Sequence, residues 1–421
     1  MKNGLIAAMI ALGGAAFATD VTVWDLNESP FDFPSVNTNG LGQALRYYYG
    51  ADGTLAEQAN RPVFVNEVVN GVTRKVAVLN QWDTFFANHG LRKNGGGDYV
   101  NQYSLVFDVK LNRNDWFGFY NTNDSQSNDS DLFFNPGNGG LGIIGDYEIE
   151  ASTSPFALDS WQRVVLTVNC DGPSALLGQD QRMNVYINGV FSNGVDLGGG
   201  LDGRWALYTV DDPDAFDHIF FFGDNDFEES AAGFVAQLAA TDAKLDAGEV
   251  ASLGAVGSLL TAKKLSGSVT LEDSAAFPNL VAYRMDFRSP GTTNVVFSRQ
   301  VTVDPAGDFS LNVLGAAGLY DVAVFSRGFL SAMIPNVSVT SAGVSNLDFG
   351  LVNGDIDSDN TVTVFDYDKL SAYFDMDSSS ASWLTPDADG IAPAYADLDG
   401  DGFITVFDYD ILSRNFDKSG A

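Results

Sequence analysis

The sequence contains few of the side chains that disulfide bonding and nucleophilic catalysis require. It has one cysteine, Cys170, and two histidines in 421 residues. A single cysteine excludes an intramolecular disulfide, so stability must come from packing and from any bound metal. Cys170 follows the strand-like run 164–168, and we interpret it as a small buried side chain. Neither His89 nor His218 lies in a zinc-ligand spacing or near a nucleophile elbow, so we predict structural roles for both.

Basic residues and long apolar runs are also scarce. The chain has 22 Lys and Arg against 55 Asp and Glu, a formal net charge of −33 at pH 7. This charge excludes a nucleic-acid partner, because phosphates would be repelled. No segment after the first residues offers about 18 uninterrupted apolar residues, so we expect no membrane span. The many carboxylates should lie on a solvated surface or bind cations.

Residues 1–18 have the layout of a secretory signal peptide. Lys2 precedes a short apolar stretch from Leu5 to Leu12, and a small-x-small site follows at 16–18. Roughly 400 residues would remain after cleavage, more than one hydrophobic core usually organises. We therefore predict a secreted protein of several domains, extracellular or at the cell surface.

Residues up to about 350 show mainly β patterns. The alternating run 103–109 predicts antiparallel strands, and 182–191 predicts a hairpin through the Asn-Gly turn at 188–189. One interior segment, Ala239 to Leu253, predicts a short amphipathic helix that closes the first domain. Regularly spaced strand signals over 264–351 predict a smaller β-sandwich with no catalytic cluster, which we interpret as a spacer.

The most specific motif is a duplicated acidic loop. Carboxylates occupy positions 1, 3, 5 and 12 of two twelve-residue segments: Asp355, Asp357, Asp359 and Asp366, then Asp397, Asp399, Asp401 and Asp408. Calcium takes six to eight oxygen ligands, and this spacing supplies them together with a backbone carbonyl at position 7. That carbonyl belongs to Thr361 and Phe403, while position 9, often completed by a water, is Thr363 and Thr405. We predict two Ca²⁺ ions.

Two positions depart from the ordinary EF-hand loop. Position 6 needs a sharp turn, which Gly402 meets easily and Asn360 meets because asparagine tolerates left-handed angles. We expect weaker binding by the first loop on that account. Position 12 is Asp rather than Glu, so the following helix must approach more closely.

The sequence after each loop is also duplicated, with an offset of 397 − 355 = 42 residues. It predicts two short helices that share one core. The predicted core residues are Phe365, Leu370, Phe374, Phe407, Leu412 and Phe416.

The paired loops, each followed by a helix, resemble a type I dockerin from Asp355 to about Asp417. The resemblance implies a cohesin-like partner. By position it assigns partner contacts to Val364, Phe365, Lys369, Val406, Phe407 and Arg414. Two features depart from the family: a longer linker over 376–396, and Val-Phe where small polar residues are common. A calcium-stabilised cap that attaches to a cell-surface component stays open as the alternative.

The first domain resembles the laminin-G/pentraxin-like branch of the concanavalin A-like jelly rolls. The segments that carry the resemblance are 161–168, 184–189, 220–226 and 232–238. That fold hosts both sugar-binding modules and glycoside hydrolases, so it does not settle function. The sequence of residues 19–100 resembles no known family and indicates no particular function.

Catalytic carboxylates are hard to find in this domain. Retaining hydrolysis needs two carboxylates about 5 Å apart. Glu148 and Glu150 share a strand face, but a solvated face is the favoured interpretation.

A ligand site is easier to propose. The polar loop 121–131 carries Asp124, Asp129 and Asp131 and is flanked by Trp116 and Tyr120. Carboxylates can hold sugar hydroxyls, and aromatic faces suit a pyranose ring. A flexible solvated loop is the open alternative.

The predicted fold class is therefore mainly β. It comprises a jelly-roll sandwich over 19–256, a β-sandwich over 264–351 and a small α-helical calcium-loop module over 353–421. The predicted function is non-catalytic: glycan binding by the jelly roll and calcium-dependent attachment by the last module. A glycoside hydrolase in polysaccharide breakdown and a structural or adhesive surface protein remain alternatives.

Overall fold

The computed structural model describes residues 19–49, 56–57, 62–122, 130–143, 155–171, 182–196, 200–209, 218–223, 232–274, 281–315 and 317–421. Its contacts divide the chain into two compact units. The N-terminal unit comprises Thr19–Lys263 and Asn312–Ala316, and the C-terminal unit comprises Lys264–Leu311 and Ala317–Ala421. The expected signal peptide, residues 1–18, lies outside the described residues. No helix in the described ranges has the length and hydrophobicity needed to cross a membrane.

Two antiparallel sheets form the N-terminal unit. The strands are β1 (Val21–Asp25), β2 (Val36–Asn37), β3 (Arg46–Tyr49), β4 (Ala56–Glu57), β5 (Phe64–Val69), β6 (Val72–Leu79), β7 (Asp83–Asn88), β8 (Gln102–Leu111), β9 (Phe117–Asn121), β10 (Leu132–Asn135), β11 (Gly140–Ile143), β12 (Gln162–Asn169), β13 (Arg182–Ile187), β14 (Val190–Asp196), β15 (His218–Phe221) and β16 (Gly233–Thr241). One sheet has the order β14-β13-β12-β8-β16-β1-β2, with β6 also on β16 and β5 on β6. The other has the order β11-β10-β9-β15-β7-β3-β4.

One hydrophobic core joins these two sheets. Strand residues alternate between faces, so β8 buries Tyr103, Leu105 and Phe107 on one side. They share a cluster with Phe85 of β7 and Phe119 of β9 in the opposite sheet. Because two sheets bury their facing sides against each other, the unit is a two-layer β structure. The mainly β prediction is confirmed.

The predicted hairpin is present, whereas the predicted helix is only partly correct. Asn188 and Gly189 have φ of 51° and 82°, as a two-residue turn of this type requires. Residues 239–241 instead finish β16, where Ala239 pairs with Val23 of β1. Helix α1 (Ala247–Ser252) begins later, after the N-cap Asp246. The start of the helix was predicted too early because an apolar, alanine-rich sequence suits a buried strand as well as a helix.

A buried ion pair anchors the segment after α1 to the first sheet. Arg163 donates from Nε and Nη2 to the two carboxylate oxygens of Asp108, at 2.7 and 2.8 Å. Its Nη1 donates to the carbonyl of Leu253, and Gly257 N donates to Asp108 Oδ2. Every charged atom therefore has partners, as burial of an ion pair requires.

A seven-stranded sheet has most of its residues in the C-terminal unit. Its strands are β17 (Ala262–Leu271), β18 (Tyr283–Arg288), β19 (Val295–Val301), β20 (Asp308–Leu314), β21 (Gly318–Ser326), β22 (Gly328–Val339) and β23 (Val344–Asp355), in the order β19-β18-β21-β22-β23-β17-β20. The β17–β23 pair is parallel, whereas β18–β19, β18–β21, β21–β22 and β22–β23 are antiparallel. The long stretch of chain between β17 and β23 permits the crossover that a parallel pair needs.

Three short helical segments follow the sheet. They are α2 (Val364–Ala372), a 3-10 turn (Pro393–Ala396) and α3 (Val406–Asn415). The prediction of a small helical segment after the β structure is confirmed.

Candidate functional site

The sheet and the module core together position the two acidic loops. Asp355, position 1 of the first loop, is also the last residue of β23. Positions 2 and 8 of each loop are buried apolar residues: Ile356 and Val362 in the first loop, and Leu398 and Ile404 in the second. These side chains enter one cluster with Leu370 and Leu412 of the helices. Buried apolar residues at positions 2 and 8 therefore anchor each loop on both sides of its acidic residues.

The first three carboxylates of each loop converge. Ligand atoms of Asp355, Asp357 and Asp359 lie within 4.8 Å of one another, and the same holds for Asp397, Asp399 and Asp401. Asp355 Oδ1 is buried and has no hydrogen-bond partner. A hard cation would satisfy that oxygen and offset the repulsion within each triplet. The donor set fits calcium.

Burial and like charge disfavour ionisation of the position-1 carboxyls. Burial, reinforced by the Asp366 charge, raises the pKa of Asp355 to about 7. Burial and the Asp408 charge raise the pKa of Asp397 to about 7 as well. Each is the carboxylate that most needs a positive partner.

The loop backbone has the same geometry in both repeats. At position 6, Asn360 has φ of 69° and Gly402 has φ of 91°, so asparagine adopts the left-handed conformation as predicted. The amide of Asn360 donates to Asp355 Oδ2 at 3.1 Å, and that of Gly402 donates to Asp397 Oδ2 at 2.9 Å. These amides orient the position-1 carboxylates.

The position-12 carboxylates also cap the helices. Asp366 is buried and accepts from the amides of Thr363, at 2.8 Å, and Asp357, at 3.1 Å. Asp408 accepts from Thr405 at 2.7 Å and from Leu398 at 2.6 Å. Each carboxylate therefore ties its helix to its own loop, which brings the shorter Asp side chain close to the site.

The other predicted loop residues have local partners. The hydroxyls of Thr363 and Thr405 accept from the amides of Phe365 and Phe407 at 3.2 Å, as N-caps do. At position 7, Thr361 N donates to Asp359 Oδ1 and Phe403 N donates to Asp401 Oδ1.

The predicted aromatic core of the module is wrong. Phe365 and Phe407 are 63% and 66% exposed, and Phe374 and Phe416 are also exposed. Leu370 and Leu412 are buried as predicted. The core is completed by Ile356, Val362, Trp383, Ile391, Leu398, Ile404 and Ile411. Apolar residues at positions 2 and 8 of each loop were the sequence signal for it.

An apolar face instead covers the first turns of the two helices. Its six exposed side chains are Val364, Phe365, Tyr367, Val406, Phe407 and Tyr409. The rings of Tyr367 and Tyr409 meet edge to face, with centroids 5.8 Å apart. This contact joins the two halves of the face, and these tyrosines were missed from sequence.

The two basic residues predicted for partner contact are held by nearby carboxylates. Lys369 Nζ lies 2.7 Å from Asp387 Oδ2 and 2.6 Å from Asp389 Oδ2, and these hydrogen bonds raise its pKa. Arg414 Nη1 lies 2.8 Å from Asp273 Oδ2. Asp387 and Asp389 belong to the long linker, so that linker is packed onto α2.

The residues predicted for ligand binding in the N-terminal unit are only partly exposed. Trp116 is 42% exposed, and its ring lies 5.5 Å from that of Phe133. Tyr120 is fully buried, so its ring does not face solvent. Asp131 is also buried and accepts from Arg204 at 2.7 Å, while burial raises its pKa to about 6. Asp124, Asp129, Glu148 and Glu150 lie outside the described residues.

Comparisons with known proteins identify one segment of the chain. Residues 353–417 match the dockerin type I domain family. No curated protein sequence matches the chain. Two interface mutants of a type II cohesin–X-dockerin complex from Acetivibrio cellulolyticus are 22% identical over 38% of this chain and 97% of theirs, with TM-scores of 0.29 and 0.28. The receptor-binding domain of botulinum neurotoxin type G is 11% identical over 75% of this chain and 72% of its own, with a TM-score of 0.31.

The structural likenesses are distant, and no functional conclusion follows from them. The family match agrees with the duplicated loops and their converging carboxylates, so the dockerin prediction is confirmed. Residues 353–417 are a dockerin type I domain, a type of domain that binds calcium.

Proposed function

We propose that this is a secreted, non-catalytic modular protein whose dockerin domain docks onto a cohesin module when calcium is bound. One observation carries the proposal: the two calcium loops lead into helices whose first turns expose apolar side chains, and the two sets meet at the contact between Tyr367 and Tyr409. An apolar face of this kind on a folded module is typical of a protein-binding surface.

Two calcium ions would be held by the converging Asp side chains of the two loops. A bound cation supplies the positive charge that offsets four carboxylates per loop. The position-12 residues Asp366 and Asp408 belong to both the loop and the helix cap, so they orient the first turns. Occupied loops therefore fix Val364, Phe365 and their repeat equivalents in place.

The chemistry of the face defines the partner surface. Its six side chains carry no charge, so a matching apolar patch on the cohesin is needed. Exposed Asp368 and Asp410 lie beside it in sequence, and the chain carries a net charge of −33. Basic residues around the patch of the cohesin would therefore speed association, an effect that salt would weaken.

Calorimetry on the full chain tests the proposal. Calcium should bind at two sites, and Asp355→Asn or Asp397→Asn should each remove one. Binding to a panel of purified cohesins should occur with calcium and disappear with EGTA. Calcium binding without any cohesin binding would favour the cap or cell-surface attachment unit instead.

We also propose glycan binding for the N-terminal unit. Trp116 supports this, because its half-exposed ring beside Phe133 offers an apolar platform for a sugar. Trp116→Ala should abolish binding on a glycan array. Phe191→Ala is the matched control, since Phe191 is an aromatic residue of equal exposure, 42%, on β14.

The array also distinguishes the two alternatives when it is paired with a reducing-end assay. Release of reducing ends that is lost in Glu148→Gln would identify a glycoside hydrolase. Neither binding nor release, with retained cell-surface association, would leave a structural or adhesive protein.

A further inference from the structure

The two repeats of the calcium module exchange the segments that follow their helices. After α2, residues 375–378 pair with the second loop, where Asp375 N donates to Ile404 O and Ile404 N donates to Met376 O, both at 2.9 Å. After α3, residues 417–420 pair with the first loop in the same way. There Asp417 N donates to Val362 O and Val362 N donates to Lys418 O, again at 2.9 Å. The two exchanges are related by the 42-residue offset.

One of the sequence differences between the repeats changes a contact within these pairings. In the second loop, Gly402 faces Ser378, and Ser378 N donates to Gly402 O. In the first loop, Asn360 faces Gly420, the equivalent of Ser378. A Cβ on Gly420 would lie 2.1 Å from Asn360 Oδ1 and 2.6 Å from Ser331 N. Gly420 therefore leaves the space that the Asn360 side chain occupies.

That side chain connects the first loop to the sheet. Asn360 Oδ1 accepts from the backbone amide of Ser331 in β22 at 2.8 Å. Residues 420–421 complete the junction: Gly420 N donates to Asn360 O at 3.0 Å, and Ser331 Oγ donates to Ala421 O at 3.0 Å. The backbone amide of Asn360 donates to Asp355 Oδ2. One residue thus contacts a metal-site carboxylate and a strand of the sheet.

We infer that Asn360 is a positioning residue that couples occupancy of the first calcium loop to strand β22. The inference rests on calcium binding by the dockerin domain but not on any cohesin partner. When the loop is ordered around a cation, its position-6 residue holds the Ser331 amide. When the loop loosens, that hydrogen bond is lost. The second loop, with Gly402 at position 6, lacks this connection.

The coupling also accounts for an unfavourable residue at position 6. Glycine adopts a positive φ at lower cost than asparagine, so Asn360 weakens the local turn. Its side chain restores stability through the Ser331 amide, a backbone donor that would otherwise lack this acceptor. The asparagine therefore serves the junction with the sheet and not the loop alone.

Hydrogen exchange measured by mass spectrometry on the full chain tests the inference. Peptides that cover residues 328–334 should exchange more slowly with calcium than with EGTA. In Asn360→Gly this calcium-dependent protection should fall by about fivefold, the effect of one hydrogen bond. Because the substitution lies in a calcium loop, protection is compared at calcium concentrations that calorimetry shows to fill both loops of each protein.

Two further variants serve as controls. Ser378→Gly changes the residue that is equivalent to Gly420, in the segment that pairs with the second loop. It should leave the hydrogen-exchange protection of residues 328–334 unchanged. Asn360→Asp keeps the acceptor oxygen and the tolerance of positive φ, so it should retain most of the protection.

The inference is overturned if calcium leaves the exchange of residues 328–334 unchanged in the wild-type protein. Full protection in Asn360→Gly would overturn it as well. Failure of the proposed docking would show differently, as absence of cohesin binding while both calcium sites are filled and β22 remains protected.

Discussion

Replacing the two exposed phenylalanines of the apolar face by alanine should separate binding from folding. Phe365 and Phe407 are 63% and 66% exposed in the free protein. A phenylalanine offers about 150–250 Å² for burial, so roughly one third of that area already contacts the protein. At about 25 cal/mol per Å², this third contributes about 1–2 kcal/mol per ring to folding.

The remaining two thirds is available to a partner. That area, roughly 100–165 Å² per ring, corresponds to about 3 kcal/mol if a cohesin covers it, or roughly a hundredfold in Kd. Truncating both rings should therefore weaken cohesin binding by at least a hundredfold. The domain should still fold and bind two calcium ions. By contrast, Leu370→Ala and Leu412→Ala should each cost about 2–5 kcal/mol of stability, because they leave cavities.

Phe374 and Phe416 provide the matched control. They are related by the same 42-residue offset, lie beyond the C-terminal ends of α2 and α3, and are 45% and 44% exposed. Because they are more buried, their double alanine variant should lose at least as much stability in a thermal melt with calcium. Its cohesin Kd should change by less than about threefold, the scale of a residue outside an interface. If this control weakens binding as much as the Phe365 and Phe407 pair does, the apolar face is not the docking surface.

Three further predictions concern the N-terminal unit. Arg163→Leu should cost about 3–5 kcal/mol in urea unfolding because Asp108 is left charged and buried, and the double variant with Asp108→Leu should recover much of it. Burial raises the pKa of Asp131 to about 6 from 3.8, so its contribution to stability is full below pH 3.8 and is lost as pH rises through 6. Asp131→Asn should remove that slope from stability measured between pH 4 and pH 7. Burial raises the pKa of the Cys170 thiol to about 12, so a thiol reagent at pH 8 should label it only after denaturant is added.

The calcium loops and the β fold class could be predicted because their signals are local. Six to eight oxygen ligands come from twelve consecutive residues, so spacing alone defines the loop. Strand alternation likewise shows within a few residues, as in β8. The Arg163–Asp108 pair could not be found this way, since its members are 55 positions apart and neither flanking sequence indicates a partner.

The misplaced aromatic core has a related cause. Periodicity shows which residues of a helix share a face, but it does not show which face is buried. Loop residues such as Ile356 and Ile404 and the linker residue Trp383 fill the space between the short helices. The phenylalanines at both ends of each helix are left outside that space.

The duplication itself holds information that reading one repeat at a time misses. Taken alone, Asn360 is only a poorer residue than glycine at a turn, and Gly420 is an unremarkable glycine near the end of the sequence. Comparison with the equivalent residues Gly402 and Ser378 shows a reciprocal substitution. In the first loop the larger residue is in the loop, opposite a glycine, and in the second loop the glycine is in the loop, opposite the larger residue. This substitution keeps the total side-chain size at the two facing positions similar. It also places a polar side chain, that of Asn360, next to Ser331, 29 residues away in sequence. This difference between the repeats therefore marks a place where the module stops being symmetric, and that place is one of its attachments to the sheet.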